Sequence, residues 1–373
     1  MTTQKKLLRI AQAVIQTPTP SNCQPWKIVI DECGLDIFHE SKRAKFATLP
    51  DDLSVFGLGM ISAALELAGG KEGMQTQSTP FLENRADDTP WLRAEFSPTE
   101  LAEEPSSHIN DLLASAIFQR HTDRRDYAGG SLADSVFHEA AHEAETTKGA
   151  NLYFIDQYPE DYLQLTHEAD LAFLEWPELR RDFMKWARFT DKEIAKTRDG
   201  DSWRDLLGEK KNLGYYLRLY VWGLTKKRGG VPGWLQKMAP KFVDKLYQLS
   251  PVSYNDGAGI GCITTQSAST EELLASGRLA MRIWLLFNAR NYAFQPLCNI
   301  TMFVYSQHRG FWNLPSHLTH HFVNAYSRMQ STFAFSEHEL PVFCFRTGMP
   351  IGEYPQNERT LRRHDRITQR QSD

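Results

Sequence analysis

The chain has 373 residues, of which 41% are hydrophobic and 12% aromatic, so it is long enough for one large or two ordinary domains and is not intrinsically disordered. Its formal net charge of −4 argues against a dedicated nucleic-acid-binding protein. The five cysteines are scattered and form no Cys-x-x-Cys pair, which excludes a disulfide scaffold and the common zinc-ribbon motifs.

The N-terminal segment lacks the features of a secretory signal. Its apolar positions are interrupted by Arg9 and Gln12, and no small-residue cleavage site follows. The most hydrophobic stretch, residues 279–294, contains two arginines and two asparagines, which makes it too polar to cross a membrane. We expect a soluble, reduced protein of the cytoplasm.

The first hundred residues predict a helix, a pair of strands and a second helix. Apolar periodicity indicates a helix over residues 5–15, which Pro18 and Pro20 terminate. Two strands are predicted at 26–30 and 35–39, followed by a helix at 55–67. Residues 71–104 are polar and contain a strand-like stretch at 91–96. We interpret this segment as the seam between two halves.

The second half alternates irregularly between helices and strands. Helices are predicted at residues 109–118, 132–144, 160–189, 271–287 and 317–329, and strands at 151–155, 260–265 and 342–346. Because the strands and helices do not follow a strict βαβ order, the pattern predicts an α+β fold.

A basic and aromatic stretch stands apart in this acidic chain. Residues 210–247 hold nine lysines or arginines but a single acidic residue, Asp244, and aromatic side chains are interleaved among them. Three interpretations stay open: a solvated insertion over the core, a lid over a cavity, or a surface for anionic partners or a membrane.

The sequence His138-Glu139-Ala-Ala-His142 matches the zincin pattern HExxH literally. At 100° per residue, one apolar stripe holds Val136, Ala140, Ala133, Ala144 and Phe137, and both histidines fall on the opposite face of the helix. A catalytic zinc helix directs its histidines into the protein, whereas these point toward solvent. A zinc metallohydrolase is therefore kept only as an alternative.

Two short motifs carry the chemistry. Residues 17–26 (TPTPSNCQPW) form a turn rich in hydroxyl and amide groups, which suit the alternating donors and acceptors at the edge of a flat heterocycle. In residues 119–125, Arg120, Thr122 and Arg124 alternate, so in an extended segment they point to one side. Two guanidiniums and a hydroxyl suit a phosphate or an electron-rich ring edge.

Together these motifs resemble the signatures of the nitroreductase-like FMN-dependent oxidoreductases, Pro-Ser-x-x-Asn-x-Gln-Pro-Trp and Arg-x-Ser/Thr-x-Arg, with Thr19 in the place of the usual serine. The resemblance implies an FMN cofactor whose ring edge and phosphate these segments bind. The implied contacts are Pro18, Thr19, Asn22, Gln24, Arg120, Thr122 and Arg124. Trp26, which begins a strand, is predicted to pack in the core.

Two weaker features of the same family follow in the expected order. Pro296, Leu297 and Cys298 come after a long helix, where relatives carry a loop whose backbone amide meets the flavin N5 atom; the resemblance assigns that amide to Cys298. Near the end of the chain, Arg359 resembles the basic residue that holds the FMN phosphate, with Arg362 and Arg363 as alternatives.

The order of the two main motifs is reversed relative to ordinary family members. This order resembles the single-chain branch, in which two halves imitate a homodimer. The resemblance implies a half at 1–105 and a half at 106–373 with an insertion or lid at about 190–255. Each half would hold a mixed or antiparallel sheet flanked by helices, with one flavin between them. The chain would be a monomer that mimics a dimer, or a homodimer.

The implied activity is an FMN-dependent transfer of hydride or electrons between NAD(P)H or an organic donor and a small aromatic, quinone-like or nitro substrate. No acid–base residue is predicted, because the cofactor carries the chemistry. Three alternatives stay open beside it. They are a flavin-holding protein with little turnover, the zinc metallohydrolase through His138, Glu139 and His142, and a membrane-surface or partner-binding protein acting through 210–247.

Overall fold

The computed structural model describes residues 2–44, 52–83, 85–99, 108–188, 190–202, 257–310, 315–316, 319, 322, 324–354 and 361–370. Its helices are Thr3–Val14 (α1), Ser41–Ala44 (α2), Asp52–Lys71 (α3), His108–Ala116 (α4), Asp134–Thr146 (α5), Glu160–Glu175 (α6), Pro177–Trp186 (α7), Asp191–Thr197 (α8), Thr270–Ala289 (α9), Cys298–His308 (α10) and Ala325–Phe333 (α11). Its strands are Trp26–Ile30 (β1), Gly34–His39 (β2), Met74–Pro80 (β3), Pro90–Pro98 (β4), Tyr127–Ala128 (β5), Asn151–Ile155 (β6), Ala187–Arg188 (β7), Asp201–Ser202 (β8), Gly259–Thr265 (β9), Ala293–Pro296 (β10), Leu340–Pro350 (β11) and Ile367–Gln369 (β12).

The first sheet is mixed and has the order β12-β1-β2-β4-β3. The C-terminal strand β12 runs parallel to β1, with Ile28 opposite Ile367, and the other pairs are antiparallel. Within the segment interpreted as a seam, 71–104, residues 74–80 and 90–98 are strands of this sheet, and the position of a boundary between two halves stays a prediction. The strand β3 (MQTQSTP) escaped the hydrophobic pattern because it is a polar edge strand that exposes most of its side chains.

The second sheet is antiparallel and has the order β10-β11-β9-β6, with β5 added at the end of β11. Its central strand β9 is buried along its whole length, because helices cover it. One mixed and one antiparallel sheet, both flanked by helices, confirm the predicted α+β class.

The helices α3 and α9 pack against each other in the centre of the molecule. One apolar cluster joins them to α1, to strands of both sheets and to Trp26, so the prediction that Trp26 lies in the core is confirmed. Among the described residues, α3 is the one helix long and apolar enough to cross a membrane, and it is mostly buried here as a core helix.

Several predicted boundaries change in the structure. The helix predicted at 160–189 divides into α6 and α7 at Pro177, because proline removes a backbone donor and restricts the residue before it. The second of these helices, α7, ends at Trp186. The helix predicted at 317–329 is described only as α11, which begins at Ala325. The proposed boundary near residue 105 and the basic stretch 210–247 lie outside the described residues, so both stay predictions.

Candidate functional site

Three distant segments of the chain meet at the backbone carbonyl of Gln16. Arg120 donates to this oxygen from Nη2 at 3.3 Å, and Arg362 donates to it from Nη2 at 3.2 Å. Arg362 also donates from Nη1 to the amide oxygen of Asn22. The structure thus brings together the first motif, the second motif and the C-terminal segment, as the resemblance implied. Of the two candidate C-terminal arginines that the structure describes, Arg362 is the one that shares this carbonyl with Arg120. Arg359 lies outside the described residues.

Arg120 is buried with an incomplete set of hydrogen bonds. It is 9% exposed, and within the described part of the chain its Nε and Nη1 atoms have no hydrogen-bond partner. Its guanidinium lies 4.5 Å from the ring centroid of Trp284, which fixes it by a cation–π contact. Desolvation by burial, followed by repulsion from Arg362, holds the pKa of Arg120 well below its ordinary value.

This arrangement favours a bound anion. Two buried guanidiniums share one carbonyl oxygen. A buried donor without a partner lowers the stability of the folded protein by about 1–3 kcal/mol. The hydroxyl of Thr17, next to Gln16 in the chain, is also buried and without a partner among the described residues. A phosphate would accept from several such donors and would neutralise the charge at the same time. The residues present therefore fit a phosphorylated cofactor.

The turn that carries the first motif has an unusual backbone. Ser21, Asn22 and Gln24 have φ angles of 45°, 46° and 47°, in the left-handed region that non-glycine residues rarely adopt. The hydroxyl of Thr19 supports the turn by accepting from the Gln24 amide at 3.1 Å. Pro18 precedes this turn, and the prolines on either side of Thr19 keep the chain from continuing α1.

The two side-chain amides of the turn bind the C-terminal segment. Asn22 donates from Nδ2 to the carbonyl of Leu361 at 3.2 Å. Gln24 accepts from the Arg363 amide at 2.8 Å and donates to the carbonyl of Arg198 at 2.8 Å. The amides that the resemblance assigned to the ring edge therefore have protein partners here. A direct contact with a flavin ring stays a prediction for both residues.

A second group of charges fastens residues 198–200 across this turn, and we call the cluster of Arg43, Arg188 and Asp199 the latch. Asp199 accepts from Arg43 at 2.6 Å and from Arg188 at 2.7 Å, and the Gly200 amide donates to the carbonyl of Asn22 at 3.2 Å. Burial alone would raise the pKa of Asp199, but its hydrogen bonds from the two arginines lower it below the ordinary value. No sequence pattern indicates the latch, because no motif links positions 43, 188 and 199.

The second motif runs beside β10. The Asp123 amide donates to the carbonyl of Phe294 at 3.0 Å, and Asp123 is buried in an ion pair with Arg125 at 2.7 Å. The carboxylate of Asp123 therefore pairs with Arg125 and not with Arg120. Thr122 and Arg124 are half-buried, as are His121 and Arg125, so the prediction that Arg120, Thr122 and Arg124 point to one side stays a prediction.

Pro296, Leu297 and Cys298 form a strand-to-helix junction between β10 and α10. The Leu297 amide donates to the carbonyl of Cys344 at 2.7 Å, so it is used within the protein. Cys298 begins α10, and an amide in the first turn of a helix has no acceptor within that helix. This position is compatible with the predicted backbone role, which stays a prediction. Burial raises the pKa of the Cys298 thiol, which argues against a reactive thiolate.

The HExxH helix offers no metal site. His138 and His142 are exposed, and Glu139 forms an ion pair with Arg290. No group of three potential metal ligands occurs among the described residues. The predicted apolar stripe is correct at Val136 and Ala140. It is wrong at Phe137, which is 44% exposed, and at Ala133, which is exposed, whereas Ala144 is half-buried and packs against the main apolar cluster. Glu143 is buried instead, because it pairs with the half-buried Arg282.

Solved structures similar to this chain include several nitroreductases. One from Desulfitobacterium hafniense with bound FMN is 8% identical over 66% of this chain and 92% of its own, with a TM-score of 0.36. An FMN-dependent nitroreductase from Clostridium difficile R20291 is 10% identical over 69% of this chain and 95% of its own, with a TM-score of 0.32. A candidate nitroreductase from Anabaena variabilis is 8% identical over 93% of this chain and 88% of its own, with a TM-score of 0.44.

No protein-family model matches the sequence, and no curated protein matches it either. At these identities and TM-scores the structural similarities carry no functional argument.

Proposed function

We propose that the protein is an FMN-dependent oxidoreductase of the nitroreductase-like kind. The observation that carries this proposal is the pair Arg120 and Arg362, two buried guanidiniums on one carbonyl oxygen with unsatisfied donors on Arg120. Both belong to segments that resemble the FMN-binding signatures, and the folded chain brings them to one place.

Each segment has a distinct task in this proposal. Arg120 and Arg362 bind the FMN phosphate, and the Trp284 ring holds Arg120 in position. Thr122 and Arg124 lie farther along the same strand-like segment and contact the ring edge, as does the turn at Thr19 and Asn22. The Cys298 amide, at the start of α10, donates to N5. The flavin itself supplies the hydride chemistry when it is bound.

The substrates are proposed only by class. The donor is NAD(P)H or another organic reductant, and the acceptor is a small aromatic, quinone-like or nitro compound. The chain works in the cytoplasm as a pseudo-dimer whose two halves pair internally. The stretch 210–247 is a lid over the site. Co-sedimentation with lipid vesicles tests the alternative that this stretch binds a membrane surface.

The test is a titration of the purified protein with FMN, followed by absorbance between 300 and 550 nm. The wild type is expected to bind FMN, and Arg120→Ala is expected to lose binding. Arg290→Ala is the matched control, because it removes an arginine that pairs with Glu139 of the HExxH helix and not with the Gln16 carbonyl. Equal FMN affinity in wild type and Arg120→Ala would contradict the assignment.

A second step separates an enzyme from a flavin-holding protein. NADPH is added to the FMN-loaded protein under anaerobic conditions, and then a quinone or nitroaromatic acceptor. Bleaching of the flavin bands followed by their return supports turnover. Bands that persist with every nicotinamide donor would favour the flavin holder, or a donor of another class.

A further inference from the structure

Two of the five cysteines face each other across the second sheet. Cys262 of β9 and Cys344 of β11 are direct partners in the antiparallel register. Both side chains are completely buried, and both thiols are free. They share an apolar cluster with the buried faces of α6 and α10. None of the chemistry proposed for the flavin site uses this pair.

The backbone hydrogen bonds show which kind of cross-strand pair this is. In a strand, the N–H and C=O of one residue point to the same side. The carbonyl of Cys344 accepts from Leu297, so its peptide groups point toward β10 and away from β9. Three residues later, the carbonyl of Thr347 accepts from Ala258, on the β9 side, which fits the alternation. Cys344 and Cys262 are therefore a non-hydrogen-bonded pair.

This kind of pair matches the geometry of a disulfide. Opposite residues at a non-hydrogen-bonded position have Cα atoms about 4.5 Å apart and their side chains closest together. Disulfides form over Cα separations of about 4.4–6.8 Å. A bond between the two sulfur atoms therefore requires little movement of either strand.

We propose that Cys262 and Cys344 are a redox modification site, at which a hydroperoxide converts two buried thiols into a disulfide. One thiol attacks the peroxide oxygen, which gives a sulfenic acid and one water when hydrogen peroxide is the oxidant. The second sulfur then displaces the hydroxyl from the first and releases a second water. In total, the two thiols lose two electrons, and one hydroperoxide molecule accepts them.

The surroundings determine the rate and the consequence of this step. Burial, followed by the contact with Cys344, raises the pKa of the Cys262 thiol, so the reactive thiolate is scarce and oxidation is slow at neutral pH. The carbonyl of Cys344 holds the Leu297 amide, directly before Cys298. The new bond therefore locks the backbone on which the strand-to-helix junction rests. The pair itself does not depend on the proposed flavin function.

The experiment uses the full chain carrying Cys33→Ser, because Cys33 is the exposed thiol and would link separate molecules. The protein is incubated with hydrogen peroxide for several hours, its remaining thiols are alkylated, and its peptides are mapped by mass spectrometry. The expected result is the loss of two thiols per chain and one cross-linked peptide that joins Cys262 to Cys344. Dithiothreitol should restore both thiols.

Control variants identify the pair. Cys262→Ser and Cys344→Ser should each abolish the cross-link, whereas Cys23→Ser, which removes another buried thiol, should leave it unchanged. A cross-link from Cys298 to Cys344, or oxidation of either cysteine to a sulfinic acid without a cross-link, would overturn the proposal. So would the survival of all thiols at alkaline pH. The peptide map of the Cys33→Ser protein gives this answer even where a serine variant fails to fold.

Discussion

Gly59 and Gly277 face each other where the two long central helices cross. A Cβ atom on Gly59 would lie 2.1 Å from the Leu274 carbonyl oxygen, and one on Gly277 would lie 1.9 Å from the Phe56 carbonyl oxygen. Phe56 and Leu274 each precede the glycine of their own helix by three residues, so the contact is reciprocal. Both helices have 20 residues. A pseudo-twofold axis between two halves of the chain would produce such a reciprocal contact between two equivalent helices. The internal pairing of two halves is still a proposal, and this crossing is its best support.

Replacing either glycine with alanine is expected to destabilise the protein. The added methyl group would overlap a backbone carbonyl that cannot rotate away, so the helices must separate, at a cost of about 1–3 kcal/mol or more. Urea unfolding of Gly59→Ala and Gly277→Ala measures this cost. Gly70→Ala is the matched control in the same helix as Gly59, because nothing lies within 4 Å of its new Cβ. It should be neutral or stabilising by up to about 1 kcal/mol. Equal stability of all three variants would contradict the close crossing.

The charge at Arg120 is expected to lower the stability of the protein without a ligand. Its guanidinium is desolvated, repelled by Arg362 and incompletely hydrogen-bonded. Arg120→Met keeps the length of the side chain and its packing on Trp284 but removes the charge. We expect the free energy of unfolding without FMN to stay equal or to rise by about 1–3 kcal/mol, and FMN binding to be lost. Thermal unfolding with and without FMN tests both statements. A variant that is less stable without FMN yet still stabilised by FMN would refute them.

The latch predicts a pH-dependent contribution from Asp199. The folded state lowers its pKa below the ordinary value of 3.8, so the carboxylate stabilises the fold above that pH and loses its effect as pH falls through the lowered pKa. Asp199→Asn should cost about 1–3 kcal/mol at neutral pH, because Arg43 and Arg188 lose their shared partner. The difference from wild type should shrink below about pH 3.

The matched control for this prediction is Asp365→Asn. The Asp365 carboxylate is 62% exposed and pairs with Arg363 at the surface, where an ion pair contributes about 0–1 kcal/mol. Urea unfolding of both variants at neutral and acidic pH makes the comparison. If Asp199→Asn costs no more than Asp365→Asn at neutral pH, the latch does not stabilise the turn.

Sequence patterns predicted the elements whose apolar residues are continuous or regularly spaced. β1 and β6 were predicted with their observed bounds, and the helices at α3 and α9 were found a few residues short at each end. The hydrophobic effect acts on such local patterns, so the sequence shows them directly. The approach of the second motif, through Arg120, to the chain just before the first motif was also predicted, because both motifs have a recognisable spacing.

The features that escaped sequence analysis depend on contacts between distant positions. The strand β12 is too short to show a period, and it exists because it pairs with β1 about 340 residues away. The latch joins three charged residues that are individually typical of a surface. Their burial together follows from the fold, and no local pattern indicates it. The same holds for the opposition of Cys262 and Cys344, which the register of two strands creates.

The three C-terminal arginines can be ranked by their expected contribution to FMN binding. Arg362 is 6% exposed and shares the Gln16 carbonyl with Arg120, so Arg362→Ala should remove charge-assisted hydrogen bonds to the phosphate. Such a loss of about 1.5–3 kcal/mol corresponds to an affinity about 10- to 150-fold weaker. Arg363→Ala should change the affinity less than about threefold, because this side chain pairs with Asp365 and faces Asp199.

Isothermal titration with FMN and with riboflavin separates a phosphate contact from a ring contact. Only FMN binding should weaken in Arg362→Ala. If Arg359→Ala weakens FMN binding more than Arg362→Ala, the phosphate is held by Arg359, as the resemblance first indicated.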